Sequence, residues 1–148
     1  MLEAILSSNI GYTIQQQEKL SQEVKQQVMQ AFSEHALQTV GYDGDIVTFN
    51  FIAQDAQQAL GVITGKRFWG CLRISQLLVM PEARGKGIGK ALMEKAFEHG
   101  RQHGCSWAAV ETLNYQARGF YEKLGFEVEF ERHGYDHGCV LYYLRKSL

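Results

Sequence analysis

The sequence is poor in several things. It has a single proline, Pro81, and three cysteines, Cys71, Cys105 and Cys139. An odd number of widely spaced cysteines argues against a disulfide framework and points to a reducing compartment. No apolar run approaches the roughly 18 residues needed to span a membrane. The opening Met1-Leu2-Glu3-Ala4-Ile5-Leu6 lacks the basic start of a signal peptide. The expected location is therefore cytoplasmic, with no membrane partner. Net charge is nearly absent too, since 15 Lys and Arg stand against 16 Asp and Glu, a balance of −1. The basic residues are scattered, so no global positive field favours nucleic acid. Repeats, linkers and low-complexity tracts are missing as well. What remains is a chain of 148 residues with ordinary apolar content. That suits one domain able to bury about 70% of its unfolded surface.

Glycine, by contrast, is concentrated in one informative place. The stretch Val79-Met80-Pro81-Glu82-Ala83-Arg84-Gly85-Lys86-Gly87-Ile88-Gly89-Lys90-Ala91-Leu92 is entered by the apolar run Leu77-Leu78-Val79 and left by a helical pattern. Alternate glycines at a strand-to-helix turn leave backbone N–H groups uncovered by side chains. Such groups at a helix N-terminus bind anions, and glycine lets a phosphate approach the main chain closely. The loop reads as a site for a phosphate-bearing ligand; the plain alternative is a flexible surface turn with solvated charges. The P-loop pattern fails here. Gly89-Lys90 is followed by Ala91, which offers no hydroxyl to Mg²⁺, and Arg84 stands where the first glycine belongs. The dinucleotide fingerprint fails because its third glycine falls one place too early, at Gly89.

Hydrophobic periodicity organises the rest into an α/β domain. Residues 10–15 read as a short first strand. Leu20, Val24, Val28, Ala31, Phe32, Ala36 and Val40 recur at helical intervals, with a break near Ser33 and a stop at Gly41. Residues 46–53 and 59–64 form a hairpin of strands. A connection over 66–70 carries Phe68 and Trp69, and a third strand spans 71–80. The helix after the glycine loop places Ile88, Ala91, Leu92, Ala96 and Phe97 on one face and ends at Gly100 or Gly104. A strand over 107–112 follows; because a helix joins them, it should run parallel to the 71–80 strand. A short helix over 115–124, a strand over 126–130, a polar loop over 131–138 and a closing strand over 140–144 complete the chain.

The pattern R-x-x-G-x-G, here Arg84, Gly87 and Gly89, resembles the pyrophosphate loop of the GNAT superfamily of acyl-CoA-dependent N-acetyltransferases. A second stretch, Asn114 to Phe126, resembles the other GNAT signature at Asn114, Ala117, Tyr121, Gly125 and Phe126. The resemblance covers roughly residues 45–146, by the order of strands and helices. It implies one N-acetyltransferase domain over residues 1–148, built on a mixed sheet flanked by helices with two splayed parallel central strands. Acetyl-CoA would be the cosubstrate, with no metal. Backbone groups of Leu78 and Val79 would pair with the pantetheine arm. Arg84, Gly85, Lys86, Gly87, Ile88, Gly89 and Lys90 would hold the pyrophosphate, and Asn114 and Tyr121 would line the opposite wall.

Tyr121 is the candidate acid. A phenol holds its proton at neutral pH and can give it to a departing thiolate; a half-buried core tyrosine is the alternative reading. Many relatives carry a basic carboxylate four or six residues before the valine, but here those positions are Ser75 and Arg73. Glu111, ending the neighbouring strand, is the compensating candidate base, against a solvated strand-end glutamate. A small-molecule amine is the expected acceptor, ahead of a protein amino-terminus or lysine. A non-catalytic acyl-CoA-binding module and a nucleotide-binding protein are the competing classes. The resemblance leaves room for a homodimer and requires no nucleic acid. His99 and His103 are spaced for a metal on a helix but lack a third ligand. His133 to Cys139 reads as a solvated loop that borders an acceptor pocket in this fold. Phe68-Trp69 reads as a core or loop anchor ahead of a pocket wall.

Overall fold

The computed structural model describes residues 11–44, 46–56 and 58–148. Met1 to Leu6 and Ile10 lie outside the described residues. The rest of the expected first strand, 11–15, has no regular structure. The chain divides into two compact units, Met1–Asp43 and Gly44–Leu148.

The first unit contains α1, Gln22–Val40. Ser21 caps it, its hydroxyl oxygen accepting from the Val24 N–H at 3.2 Å. Gly41 ends it at φ 72°, its N–H donating to the Leu37 carbonyl. The expected break at Ser33 is absent. Ser33 instead points its hydroxyl at Asp43 Oδ2, 3.2 Å away, which leaves the helical backbone bonds undisturbed.

The second unit holds a six-stranded sheet in the order β1-β2-β3-β4-β6-β5. Its strands are β1 (Val47–Gln54), β2 (Ala59–Phe68), β3 (Cys71–Val79), β4 (Trp107–Leu113), β5 (Glu127–Arg132) and β6 (Leu141–Ser147). Its helices are α2 (Ile88–Gln102) and α3 (Arg118–Lys123). Residues 66–68, expected in a connection, extend β2 and pair with Arg73, Leu72 and Cys71. The hairpin loop is thus only Trp69-Gly70. The short helix starts at Arg118 rather than 115, because the chain from 113 to 117 is tied into a turn by side-chain bonds.

α2 buries Leu92, Met93, Ala96, Phe97 and Gly100. Ala91 is exposed and Met93 takes its place on the inner face. Gly100 lies inside the helix; a side chain there would press on Leu72 at 3.1 Å. The stop is supplied by Gly104, at φ 77°. The core joins that face to Ile63, Leu72, Ile74, Ala108, Val110 and Leu144 of the sheet, with Tyr121 and Phe126 closing it.

β3 and β4 are the parallel pair, as the helix between them demands. They pair over only three rungs: Cys71 with Trp107, Leu72 with Ala108, and Arg73 with Ala109. The partner strand explains why they part. In the β2–β3 ladder Gly65 faces Ile74 and Thr64 faces Gln76, so Ser75 is an extra residue, a β-bulge. A bulge bends its strand and raises its twist. It falls just past the last rung shared with β4, and the two strands splay beyond it.

Candidate active site

The splay opens a cleft of about 410 Å³. One wall is β3 from Ile74 to Leu78. The other is Val110, Glu111 and Thr112 of β4, with Gln116, Ala117 and Tyr121 from the segment that follows. Direction along β3 can be read from its neighbours. The Met80 N–H donates to the Leu60 carbonyl at 2.9 Å, and the Leu78 carbonyl faces β2 against Gly61. Because successive peptide groups of a strand alternate in direction, Val79 turns its peptide groups into the fork and Leu78 does not. Leu78 nonetheless lines the cleft. The Val79 carbonyl accepts from Arg84 Nε at 3.1 Å, which clamps the glycine loop to the end of β3.

That loop crosses a short 3₁₀ turn, Pro81–Ala83, and enters α2. Gly85 and Gly87 have φ of 76° and 78°, and a β-carbon on either would meet nothing within 4 Å. The turn therefore needs glycine for its backbone, and the space above it is open. Gly87 is the N-cap of α2, with its carbonyl accepting from the Ala91 N–H. Ile88, Gly89 and Lys90 occupy the first helical turn, where N–H groups have no helical partner. Among the described residues, no bond is made by the amides of residues 85–90. Unpaired amides, a helix N-terminus and the cations Arg84, Lys86 and Lys90 suit a pyrophosphate.

Tyr121 is the buried residue of α3, only 6% exposed. Phe120 and Phe126 hold its ring edge-on at 5.3 and 5.7 Å between centroids. Burial raises its phenol above the usual value for tyrosine. Thr112 positions this segment. Its hydroxyl oxygen accepts from the Ala117 N–H at 3.3 Å, and Gln116 Oε1 accepts from the Leu113 N–H at 2.9 Å.

Glu111 lies on the cleft wall with its Oε1 accepting a hydrogen bond from Arg73 Nη2. Asn114 is not brought to this cleft. Its Oδ1 accepts from the Val140 N–H at 3.3 Å, and its own N–H donates to the Val140 carbonyl at 2.9 Å. It fastens the end of β4 to the start of β6. Sequence reasoning passed over Ser75, Gln76, Thr112 and Gln116, which line the cleft. Gln116 lies inside the second motif segment and Ser75 stands four residues before Val79, where many relatives carry a carboxylate; Gln76 and Thr112 had no such cue. His99 and His103 stack at 4.3 Å between centroids. Among the described residues no three His, Cys, Asp or Glu side chains could hold a metal ion, and no helix is long and apolar enough to cross a membrane.

A mixed sheet opened between two parallel strands, with an anion loop at the mouth, defines the class of acyl-CoA-dependent transferases. The sequence pattern of the acetyltransferase (GNAT) family matches residues 14–126, and the chain belongs to that family. It is 34% identical over 89 residues to the blasticidin-S acetyltransferase of Streptomyces morookaense, covering 60% of this chain and 65% of that protein, less than two thirds of its length. Its fold matches the crystal structure of an Agrobacterium tumefaciens protein assigned as an acetyltransferase, with TM-score 0.78, 24% identity, and 91% and 98% of the two chains covered. It also matches a Bacillus anthracis protein in complex with acetyl coenzyme A, with TM-score 0.64, 24% identity, and 68% and 62% covered.

Proposed function

We propose that the chain transfers an acetyl group from acetyl-CoA to the primary amine of a small molecule, and that residues 1–148 act as one N-acetyltransferase domain. The observation that carries this reading is the fork. The loop of unpaired amides is clamped to the end of β3 at Val79, whose peptide groups turn away from β2, and the opposite wall of the cleft carries Tyr121. The family match supports it by spanning both chain units.

In this reading the pyrophosphate rests on residues 84–90 and the pantetheine arm runs along the open edge of β3. The acceptor nitrogen attacks the thioester carbon. A C–N bond forms, and the carbonyl oxygen becomes an oxyanion beside the Val79 N–H, where a fixed donor counts most. The C–S bond then breaks and the phenol of Tyr121 gives its proton to the sulfur. The proton shed by the amine passes to Glu111, directly or through one water. Holding both reactants in one cleft supplies much of the rate. A small-molecule acceptor fits a near-neutral chain with no acidic tract for a basic tail, and the blasticidin-S relative acts on a small molecule by its name.

The test is release of free CoA thiol against a panel of small amines and amino-terminal peptides. Turnover on small amines is expected. Turnover confined to peptides would move the acceptor to proteins, and acetyl-CoA binding with no turnover on any amine would leave a binding module.

A further inference from the structure

On the sheet face bearing Arg73, Trp107 and Glu111, a second cavity of about 310 Å³ runs from the Trp69-Gly70 turn up to the fork. Four aromatic side chains line it: Phe68, Trp69, Trp107 and Tyr143. Its far end is Glu111, which together with Val110 also lines the fork cleft. The two cavities therefore meet at the candidate base. Both tryptophans of the chain sit in this one cup.

Trp69 is the unusual member. It is the first residue of a two-residue hairpin loop and has φ 50°, with Gly70 following at 77°. Such turns need positive φ at both positions and favour Asn-Gly or Asp-Gly. A bulky side chain there is strained, so a local preference has been set aside. The indole is 42% exposed, beside Phe68 at 38%. It is seated against Gly44, where a β-carbon would come within 2.2 Å of its Nε1. Trp107 is braced from the other side by the Arg145 guanidinium, 4.3 Å above its ring. The carboxylates of the cup are already matched, Glu111 with Arg73 and Glu129 with Arg145. Among the described residues that line the cup, a second positive charge on a ligand would find no unmatched carboxylate.

We infer that this cup is the acceptor subsite and that its substrate class is primary amines carried one or two carbons from a flat, uncharged ring. The inference rests on the transferase reading above. The ring would stack among the four aromatic side chains and the amine would project to Glu111, at the junction with the thioester cleft. At about 310 Å³ the cup is at the small end of ligand sites, which suits one ring system and excludes a folded protein surface.

The test compares 2-phenylethylamine with 1,5-diaminopentane in the native protein and in Trp69→Asn. Asparagine accepts positive φ, so this variant should fold with an equal or higher Tm. If Trp69 is a pocket wall, the KM for 2-phenylethylamine rises about tenfold while kcat and acetyl-CoA affinity hold. Intrinsic tryptophan fluorescence, which reports on the cup alone, should respond saturably to 2-phenylethylamine in the native protein. An unchanged KM in Trp69→Asn, or a native preference for 1,5-diaminopentane, overturns the inference and leaves the transferase reading standing. Saturable binding of 2-phenylethylamine that is lost in Trp69→Asn, with no amine acetylated, overturns the transferase reading and with it the acceptor role, and leaves the cup an aromatic-amine binding site.

Discussion

Arg73 and Glu111 are joined across the point where the sheet forks. Arg73 stands on the last rung that β3 shares with β4, opposite Ala109, and its Nη2 donates to the carboxylate of Glu111 two residues further on. A cation on β3 thus holds a carboxylate on β4 over the opening. The pair is partly exposed, at 46% and 35% for the two side chains, so its worth for stability is about 0–1 kcal/mol. Its effect on reactivity is orientation of the carboxylate.

Glu111→Gln is expected to lower kcat/KM by about 10²–10⁴-fold, as loss of a general base does. Arg73→Leu keeps the base but frees it, and should cost only a few-fold in kcat/KM and less than about 1 kcal/mol in stability. Steady-state rates from pH 5 to 10 on both variants check this. Equal losses in the two would mean that the ion pair, not the carboxylate, is what matters.

Tyr121→Phe should lower kcat by about 10²–10⁴-fold with unchanged acetyl-CoA affinity and little loss of stability, since the ring contacts with Phe120 and Phe126 remain. Burial raises the Tyr121 phenol. The unfolded chain therefore ionises first as pH climbs, so stability is kept below pH of about 10 and declines above it. Tyr121→Phe should flatten part of that alkaline decline, as thermal melts between pH 8 and 11 would reveal.

Gly87→Val should abolish acetyl-CoA binding, but φ 78° means that it also strains the backbone, by about 1–3 kcal/mol. Gly104→Val is the matched control. It lies just past the other end of the same helix at φ 77°, also with nothing within 4 Å of an added β-carbon. Calorimetric titration should find acetyl-CoA affinity lost in the first and kept in the second, at similar cost in Tm. Loss in both would assign the effect to the fold.

Gly65→Ala should destabilise the protein by about 1–3 kcal/mol through overpacking. Its β-carbon would fall 2.3 Å from the Arg73 carbonyl and 2.5 Å from the Phe49 ring. Gly65 pairs with Ile74 beside the bulge at Ser75, so acetyl-CoA affinity should fall as well. Urea denaturation and calorimetry on the one variant measure both.

Much of the site was legible in the letters because it is local. The glycine loop declares itself through alternate glycines, their flanking cations and a helical pattern beyond them. The parallel strand pair follows from a helix lying between two strands. The helix stop at Gly104, the extension of β2 through Phe68 and the inward turn of Met93 were less legible. Each depends on which neighbour a side chain meets, and periodicity alone leaves an ambiguity of a residue or two.

Chain order and residue type thus determined by themselves that a strand would feed an anion loop at a helix N-terminus, and that a tyrosine would follow on a short helix. Those features rest on backbone preferences and on contacts within a few residues. Only the tertiary structure decided that Ser75 bulges and parts β3 from β4, that Arg73 takes hold of Glu111, and that Asn114 is spent on Val140. It alone gathered Phe68, Trp69, Trp107 and Tyr143 into one cup. Such relations join residues far apart in sequence, and they exist only once the register of the strands has been set by burying one face of the sheet.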